Sequence, residues 1–319
     1  MKGRHRVIIQ NNRLHYEFDI KRNITIIQGN SATGKTTLVD MLRQHMNLGS
    51  SSGIDVRCDV PCRVLEGIDW KIILANLRGM ILFIDEGNDF ITTEEFAAAV
   101  KGSDNYFVII TRENLYNLPY SVEEIYGLHS SGKYQNTRRI YQQTYRIYAN
   151  LQSLPLQPKK IIVEDSNSGY EFFKNICDGS DIECVSAEGK SNLFSVLKKS
   201  GKQETCLIAD GAAIGPEMSA LYKQAIQHDN IKLYLPESFE WIILQSGIIN
   251  NASLRNVLEV PEDYVDSKEY FSWEQFFTKL LIKETEGTYL QYRKRSLNPA
   301  YLHEKNKKTI LSVMQGIDF

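Results

Sequence analysis

Eight residues near the start of the chain combine glycines, hydroxyls and a lysine at a spacing that could hold an anion. They read Gly29-Asn30-Ser31-Ala32-Thr33-Gly34-Lys35-Thr36. Glycine permits a positive φ, so consecutive backbone N–H groups can point at one phosphate. Lys35 adds a cation for the outer phosphates, and the Thr36 hydroxyl is a ligand that Mg²⁺ accepts. The segment therefore predicts a site for a nucleoside triphosphate with Mg²⁺.

Two adjacent carboxylates follow an apolar run later in the chain. Asp85 and Glu86 come directly after residues 80–84, a pattern typical of a parallel strand buried on both faces. An acid at the carboxyl end of such a strand lies at the ligand edge of the sheet. Thr111 and Arg112 end the next apolar run, where a polar residue could sense a bound phosphate. A surface turn with a solvated arginine explains these two residues equally well.

The elements that must position these groups alternate along the first half. Apolar patterning predicts strands at 6–10, 14–20, 24–27, 80–84 and 106–110, and helices at 36–45, 70–77 and 90–100. The third strand leads into the glycines, and a helix follows them. This alternation predicts an α/β domain with a parallel sheet.

Motif and context together make the first half resemble the P-loop NTPases. The segment matches G-x-x-x-x-G-K-[ST] in full, and Asp85-Glu86 resembles the second nucleotide-binding motif of that class. The resemblance implies ATP and Mg²⁺ as cofactors, with Mg²⁺ held by Thr36 and Asp85. It also implies that Glu86 activates the attacking water and that Lys35 assists catalysis. The residues expected to contact the nucleotide are Gly29, Asn30, Ser31, Ala32, Thr33, Gly34, Lys35, Thr36 and Thr37.

The subclass of ATPase is less sharply indicated. The two strands before the loop resemble those of ABC-type and recombination-type ATPases. No L-S-G-G-Q signature lies between Lys35 and Asp85. A compact, divergent P-loop ATPase is therefore expected, acting as a homo-oligomer or with a partner protein. A nucleotide kinase is a further hypothesis, but the Asp-Glu pair and the absence of a recognisable lid argue against it.

The second half shows another alternation of strands and helices. Residues 161–245 resemble a toprim domain of the type fused to ATPases in overcoming-lysogenization-defect nucleases of phage defence. The matches are Ile161-Ile162-Val163-Glu164, Glu188-Gly189-Lys190-Ser191-Asn192, Leu207-Ile208-Ala209-Asp210, and residues 235–244 around Glu240. The resemblance implies Mg²⁺-assisted phosphodiester cleavage with Glu164, Asp210 and Glu240 as metal ligands.

This resemblance departs from its family at one residue. The family has a second Asp two residues after Asp210, where this sequence has Ala212. Asp165 or Glu217 could substitute for it. The alternative is a regulatory or scaffold protein whose second domain is an inactive docking platform.

We divide the chain into a P-loop ATPase domain at 1–150, a linker at 151–158, a toprim-like domain at 159–250 and a mainly helical C-terminal extension at 251–319. Residues 125–163 contain no Asp or Glu and interleave Lys and Arg with Tyr, which suggests DNA or RNA as a partner. Tyr141, Tyr145 and Tyr148 also fit one face of a helix packed on the core, and we favour that interpretation. The basic cluster 293–295 is read as a solvated face.

Localisation is inferred from what the sequence lacks. The five cysteines form no disulfide framework, and neither a signal peptide nor an apolar run of membrane-spanning length is present. A cytoplasmic protein without a membrane partner is expected.

Overall fold

The computed structural model describes residues 1–29, 33–131, 139–149, 156–249 and 251–319. Asn30, Ser31 and Ala32 and most of the expected linker lie outside the described residues. The fold is α/β and divides into two compact units. Unit 1 comprises Met1–Ile147 and Val260–Ser272, and unit 2 comprises Tyr148–Glu259 and Trp273–Phe319. The sequence-based division puts residues 260–272 in the C-terminal extension, whereas they pack within unit 1.

Unit 1 contains a mixed sheet flanked by helices. Its described strands are β1 (His5–Gln10), β2 (Leu14–Ile20), β3 (Ile24–Ile27), β4 (Asp55–Arg57), β5 (Cys62–Val64), β6 (Ile81–Ile84), β7 (Tyr106–Ile110), β8 (Ile125–Ser130) and β9 (Ile140–Arg146). They are ordered β4-β1-β2-β9-β8-β3-β7-β6-β5. The helices are α1 (Lys35–Leu48), α2 (Trp70–Ala75) and α3 (Glu94–Val100).

The parallel centre of this sheet carries the expected motifs. β7 lies between β3 and β6 and pairs parallel with both. Every residue of these three strands is buried, as expected for strands covered on both faces. On α1, Leu38 and Leu42 are fully buried in the same core, each stabilising the packed helix by roughly 1.5–3 kcal/mol. This packing fixes the helix that begins directly after Gly34.

Tyr141 and Tyr145 lie on a strand and Tyr148 lies in the turn after it, so the helix expected from their spacing is wrong. β9 pairs antiparallel with β8 and parallel with β2. Tyr141 and Tyr145 are four positions apart, which puts them on one side of a strand as well as of a helix, so spacing alone cannot distinguish the two. Tyr145 is 47% exposed rather than packed on the core. Residues 132–138, with Lys133, Tyr134 and Arg138, lie outside the described residues.

Unit 2 is built on a parallel sheet. Its described strands are β10 (Lys160–Val163), β11 (Glu183–Ser186), β12 (Thr205–Ile208) and β13 (Ile231–Tyr234), in the order β11-β10-β12-β13. The connecting helices are α4 (Ser168–Cys177), α5 (Leu193–Lys198) and α6 (Met218–Gln227). Three helices of the C-terminal part join α7 (Phe239–Gln245): α8 (Ala252–Glu259), α9 (Trp273–Thr285) and α10 (Glu304–Leu311).

The segment Val260–Ser272 contacts the rest of unit 1 through side chains and backbone. Arg4 Nη2 lies 2.7 Å from Glu262 Oε1, and Asn23 Nδ2 donates to the Phe271 carbonyl at 2.8 Å. Unit 1 is therefore assembled from two separate stretches of chain. No helix in the described part of the chain has the length and apolar character needed to span a membrane.

Candidate functional site

Three neighbouring strand ends in unit 1 carry the residues singled out from the sequence. The loop of residues 29–36, called the glycine-rich loop below, follows β3. Asp85 and Glu86 follow β6, and Thr111 and Arg112 follow β7. Because these strands are parallel and adjacent, all three ends lie at one edge of the sheet.

The two glycines of the loop adopt conformations that other residues avoid. Gly29 has φ +126° and Gly34 has φ +88°. A Cβ on Gly34 would lie 2.8 Å from the Tyr16 hydroxyl, whereas one on Gly29 would meet no atom of the described residues within 4 Å. The Tyr16 hydroxyl donates a hydrogen bond to the Gly34 carbonyl at 2.8 Å. Tyr16 therefore supports the loop from β2, and only glycine fits at position 34.

The Lys35 side chain reaches back to two described residues of the glycine-rich loop. Its Nζ donates to the Gly29 carbonyl at 2.8 Å and to Thr33 Oγ1 at 3.0 Å. Burial, together with the nearby positive charge of Arg112, lowers the pKa of Lys35. Thr36 and Thr37 are exposed on the first turn of α1. Lys35, Thr36 and Thr37 thus place an ammonium and two hydroxyls at the start of a helix, where anions are favoured.

The two acids after β6 have different environments. Asp85 is buried, and this burial raises the pKa of its carboxyl. Its Oδ1 accepts a hydrogen bond from the Glu86 backbone N–H at 2.8 Å. Glu86 is exposed and forms an ion pair with Arg112, with Nε 3.0 Å from Oε1. Asp85 is thus fixed, while Glu86 is held at the surface by Arg112, which follows β7.

In unit 2, Glu164 and Asp210 follow the adjacent strands β10 and β12. Glu164 Oε2 accepts a hydrogen bond from the Asp210 backbone N–H at 2.9 Å, so the Glu164 carboxylate lies against the backbone of Asp210. Asp210 Oδ1 accepts from the Phe239 N–H at 3.2 Å. Burial raises the pKa of Glu164 to about 7, and burial with neighbouring acids raises that of Asp210.

Tight backbone packing follows Asp210. A Cβ on Gly211 would lie 2.4 Å from the Leu235 carbonyl oxygen, so glycine is required there. Ala212 is 2% exposed, and its N–H donates to the Glu237 carbonyl at 3.3 Å. The position where the resemblance calls for a second Asp is therefore a buried methyl group against the chain that follows β13.

Glu240 is held by groups that the sequence did not single out. It lies in the first turn of α7, 2% exposed, and its Oε1 accepts from the Tyr292 hydroxyl at 2.9 Å. Lys294 Nζ lies 3.6 Å from the same oxygen and 2.6 Å from Glu274 Oε1. Arg293 and Arg295 are exposed, but Lys294 is only a third exposed. The expectation that 293–295 form a solvated face is therefore wrong for Lys294.

Two further polar groups lie near Glu164. Lys190, in the Gly-Lys-Ser-Asn segment, donates from Nζ to the Ala213 carbonyl at 3.3 Å. Glu217 is buried, and its Oε2 has no hydrogen-bond partner among the described residues. Burial raises the pKa of Glu217, while the positive charge of Lys190 opposes the shift. Glu217 is one of the acids considered in place of the missing Asp.

No three His, Cys, Asp or Glu side chains within the described ranges are arranged to hold one metal ion. Glu164 and Asp210 line a cavity of about 20 Å³, together with Asp165 and the ring of Phe239. This is the size of a single water molecule. The structure thus brings Glu164 and Asp210 together, whereas Glu240 is engaged by Tyr292 and Lys294.

Sequence reasoning missed Tyr16, Tyr292, Glu274 and Lys294. Each comes from an element remote in sequence from the residues it contacts, and no spacing rule connects them. The one available signal was Lys294 itself, which falls in the short basic cluster 293–295. No protein-family model matches this chain, and no curated protein matches it either. The geometry of the two sheet edges therefore carries the functional argument.

Proposed function

We propose that this protein hydrolyses ATP with Mg²⁺ at the glycine-rich loop and couples hydrolysis to a site in unit 2 that binds or cleaves nucleic acid. The observation that carries the first part is the common edge of β3, β7 and β6. There the glycine-rich loop, Asp85-Glu86 and Thr111-Arg112 meet on adjacent parallel strands.

The donors at this edge suit the roles assigned to them. Thr36 and Asp85 offer a hydroxyl and a carboxylate, the hard oxygen ligands that Mg²⁺ prefers, and bound Mg²⁺ would neutralise charge on the phosphates. Lys35 already reaches across the loop, so its ammonium can bind the outer phosphates without a large movement. Glu86 is the base for the attacking water, and Arg112 must release it for that role.

The second part rests on Glu164 and Asp210. They are the two toprim-like acids that meet at the carboxyl ends of β10 and β12. Two carboxylates with water ligands suffice to bind one Mg²⁺, as they do in many phosphate-processing sites. A role in defence against mobile elements follows from the resemblance to overcoming-lysogenization-defect nucleases.

The test combines two assays on the full chain. Phosphate release from ATP and from GTP is measured with Mg²⁺, with and without added DNA or RNA. Cleavage and binding of the same nucleic acids are measured with Mg²⁺ or Mn²⁺. Failure to release phosphate from either nucleotide would refute the ATPase. Absence of both binding and cleavage would refute the nucleic-acid part.

A second candidate function is an ATP-dependent scaffold whose unit 2 docks a partner without cutting. The buried Ala212 favours it, because no acid stands at that position. Under this alternative Glu164→Gln and Asp210→Asn leave every activity unchanged. Cleavage by the unaltered protein that is lost in both variants would exclude it.

A further inference from the structure

A lysine from the C-terminal part lies among the acids of unit 2. We define the acid cluster as Glu164, Asp210, Glu240 and Glu274. Lys294 Nζ lies 2.6 Å from Glu274 Oε1 and 3.6 Å from Glu240 Oε1. It therefore neutralises two members of the cluster that belong to different helices, α7 and α9.

The backbone around Lys294 is fixed on both sides. Its carbonyl accepts from the Ser168 N–H at 3.1 Å, at the start of α4. Two residues earlier, the Tyr292 N–H donates to Thr285 Oγ1 at 2.9 Å, and the Tyr292 hydroxyl contacts both Ser168 Oγ and Glu240. Three residues later, the Leu297 N–H donates to Glu171 Oε2 at 2.6 Å. Lys294 is thus built into the cluster rather than reaching it as a mobile surface side chain.

The acids divide into two pairs with different partners. The carboxylates of Glu164 and Asp210 accept hydrogen bonds from backbone N–H groups, those of Asp210 and Phe239 respectively. Glu240 and Glu274 instead contact Lys294. A lysine ammonium has three donors and no lone pair, so it cannot ligate a metal and repels one at short range.

We propose that Lys294 is the resident cation of the acid cluster, and that by occupying Glu240 and Glu274 it limits unit 2 to a single divalent cation, at Glu164 and Asp210. This inference rests on the metal-dependent function proposed for unit 2. Lys294 is then a positioning residue, and its ammonium group takes the place that a second metal ion would otherwise occupy.

The test counts Mn²⁺ bound to the nucleotide-free full chain, by calorimetric titration and by electron paramagnetic resonance. Lys294→Met, which keeps the length of the side chain but removes its charge, is expected to bind one more Mn²⁺ per chain than the unaltered protein. The double variant Lys294→Met with Glu240→Gln is expected to lose this additional ion. Lys294→Arg and Lys283→Met, an exposed lysine of α9, serve as controls and are expected to keep the original count.

Equal Mn²⁺ counts in the unaltered protein and Lys294→Met would overturn the proposal. If Lys294→Met does not fold, the resonance spectrum of the unaltered protein decides. A spin-coupled Mn²⁺ pair in unit 2 overturns it, and an uncoupled signal that is lost in Glu164→Gln supports it. Because the count requires neither ATP hydrolysis nor nucleic-acid cleavage, its failure is distinguishable from failure of the proposed function.

Discussion

The two candidate sites lie at the carboxyl ends of parallel strands but are constructed differently. In unit 1 one short stretch, the glycine-rich loop, provides backbone groups and Lys35 together, and two strand ends complete the edge. In unit 2 the acid cluster and Lys294 come from five separate elements. A site made of contiguous backbone can be read from a motif, whereas a site made of converging side chains requires the fold. Substitutions at only a few positions should therefore abolish the unit 1 site. In unit 2, a substitution of any member of the acid cluster or of Lys294 should alter the site.

The largest effect that would test this contrast is expected from Lys35→Ala. The ammonium spans the loop at 2.8 Å from the Gly29 carbonyl, so its removal deletes the only charge that the loop itself supplies. Phosphate release from ATP should fall by roughly 10²–10³-fold, as for loss of one preorganised charge donor. Lys101→Ala, an exposed residue of unit 1, is the control. Activity within threefold of the unaltered protein would contradict the assignment.

Glu86→Gln should separate binding from hydrolysis in unit 1. The carboxylate is exposed and ion-paired with Arg112, and the proposed function assigns it to activating water rather than to holding phosphate. Turnover should fall by roughly 10²-fold, with nucleotide affinity retained. Fluorescent-nucleotide binding and phosphate release are measured side by side, with Glu94→Gln as the control. Unchanged turnover would assign the base elsewhere.

Gly34→Ala should sharpen the claim that backbone geometry carries the unit 1 site. The new Cβ would meet the Tyr16 hydroxyl at 2.8 Å in addition to requiring φ +88°. Nucleotide affinity should fall at least tenfold, and the free energy of unfolding by about 1–3 kcal/mol. Gly29→Ala adds only the conformational strain and should cost less. Adding Tyr16→Phe to Gly34→Ala should restore part of the loss, and no recovery would argue against the contact.

The smallest effect concerns unit 2 and its dependence on pH. Burial raises the pKa of Glu164 to about 7 from 4.5, so the folded state binds the proton more tightly than the unfolded state. The free energy of unfolding should therefore fall as pH rises from about 4.5 to 7. In EDTA, Glu164→Gln should be more stable than the unaltered protein at pH 8 by up to ~3 kcal/mol, and the advantage should vanish near pH 4.5. Urea unfolding measures this, with exposed Glu204→Gln as the control. If Glu164→Gln is more stable by the same amount at every pH, its added stability comes from packing and not from the titration of Glu164.

Much of the framework could be predicted from the sequence, because burial and strand pairing leave a local pattern. The bounds of β2, β3 and β7 agree with those expected, since each is a short apolar or alternating run next to a turn. The α/β class follows from the same alternation. The hairpin of β8 and β9 was missed because tyrosines four residues apart satisfy both helical and strand periodicity.

The site in unit 2 could be predicted only in part. Glu164 and Asp210 end strands, and strand ends are readable from apolar runs. Lys294 and Tyr292 lie in irregular chain after α9, where no periodicity indicates which side chain turns inward. Their contact with Glu240 depends on how α7 and α9 pack, which is a property of the folded unit. Ala212 was recognised as unusual, but its burial by the chain after β13 appears only in three dimensions.

The segment Val260–Ser272 also has a consequence for synthesis of the protein. Within unit 1, this segment accepts the hydrogen bonds that Arg4 and Asn23 donate. About 125 residues separate Ile147 from Ser272 along the chain. At ~5–20 residues per second, translation takes roughly 6–25 s to cover that distance. During this interval the nascent first unit is incomplete while the second is still emerging from the ribosome. Completion of unit 1 is therefore tied to synthesis of the chain as far as Ser272.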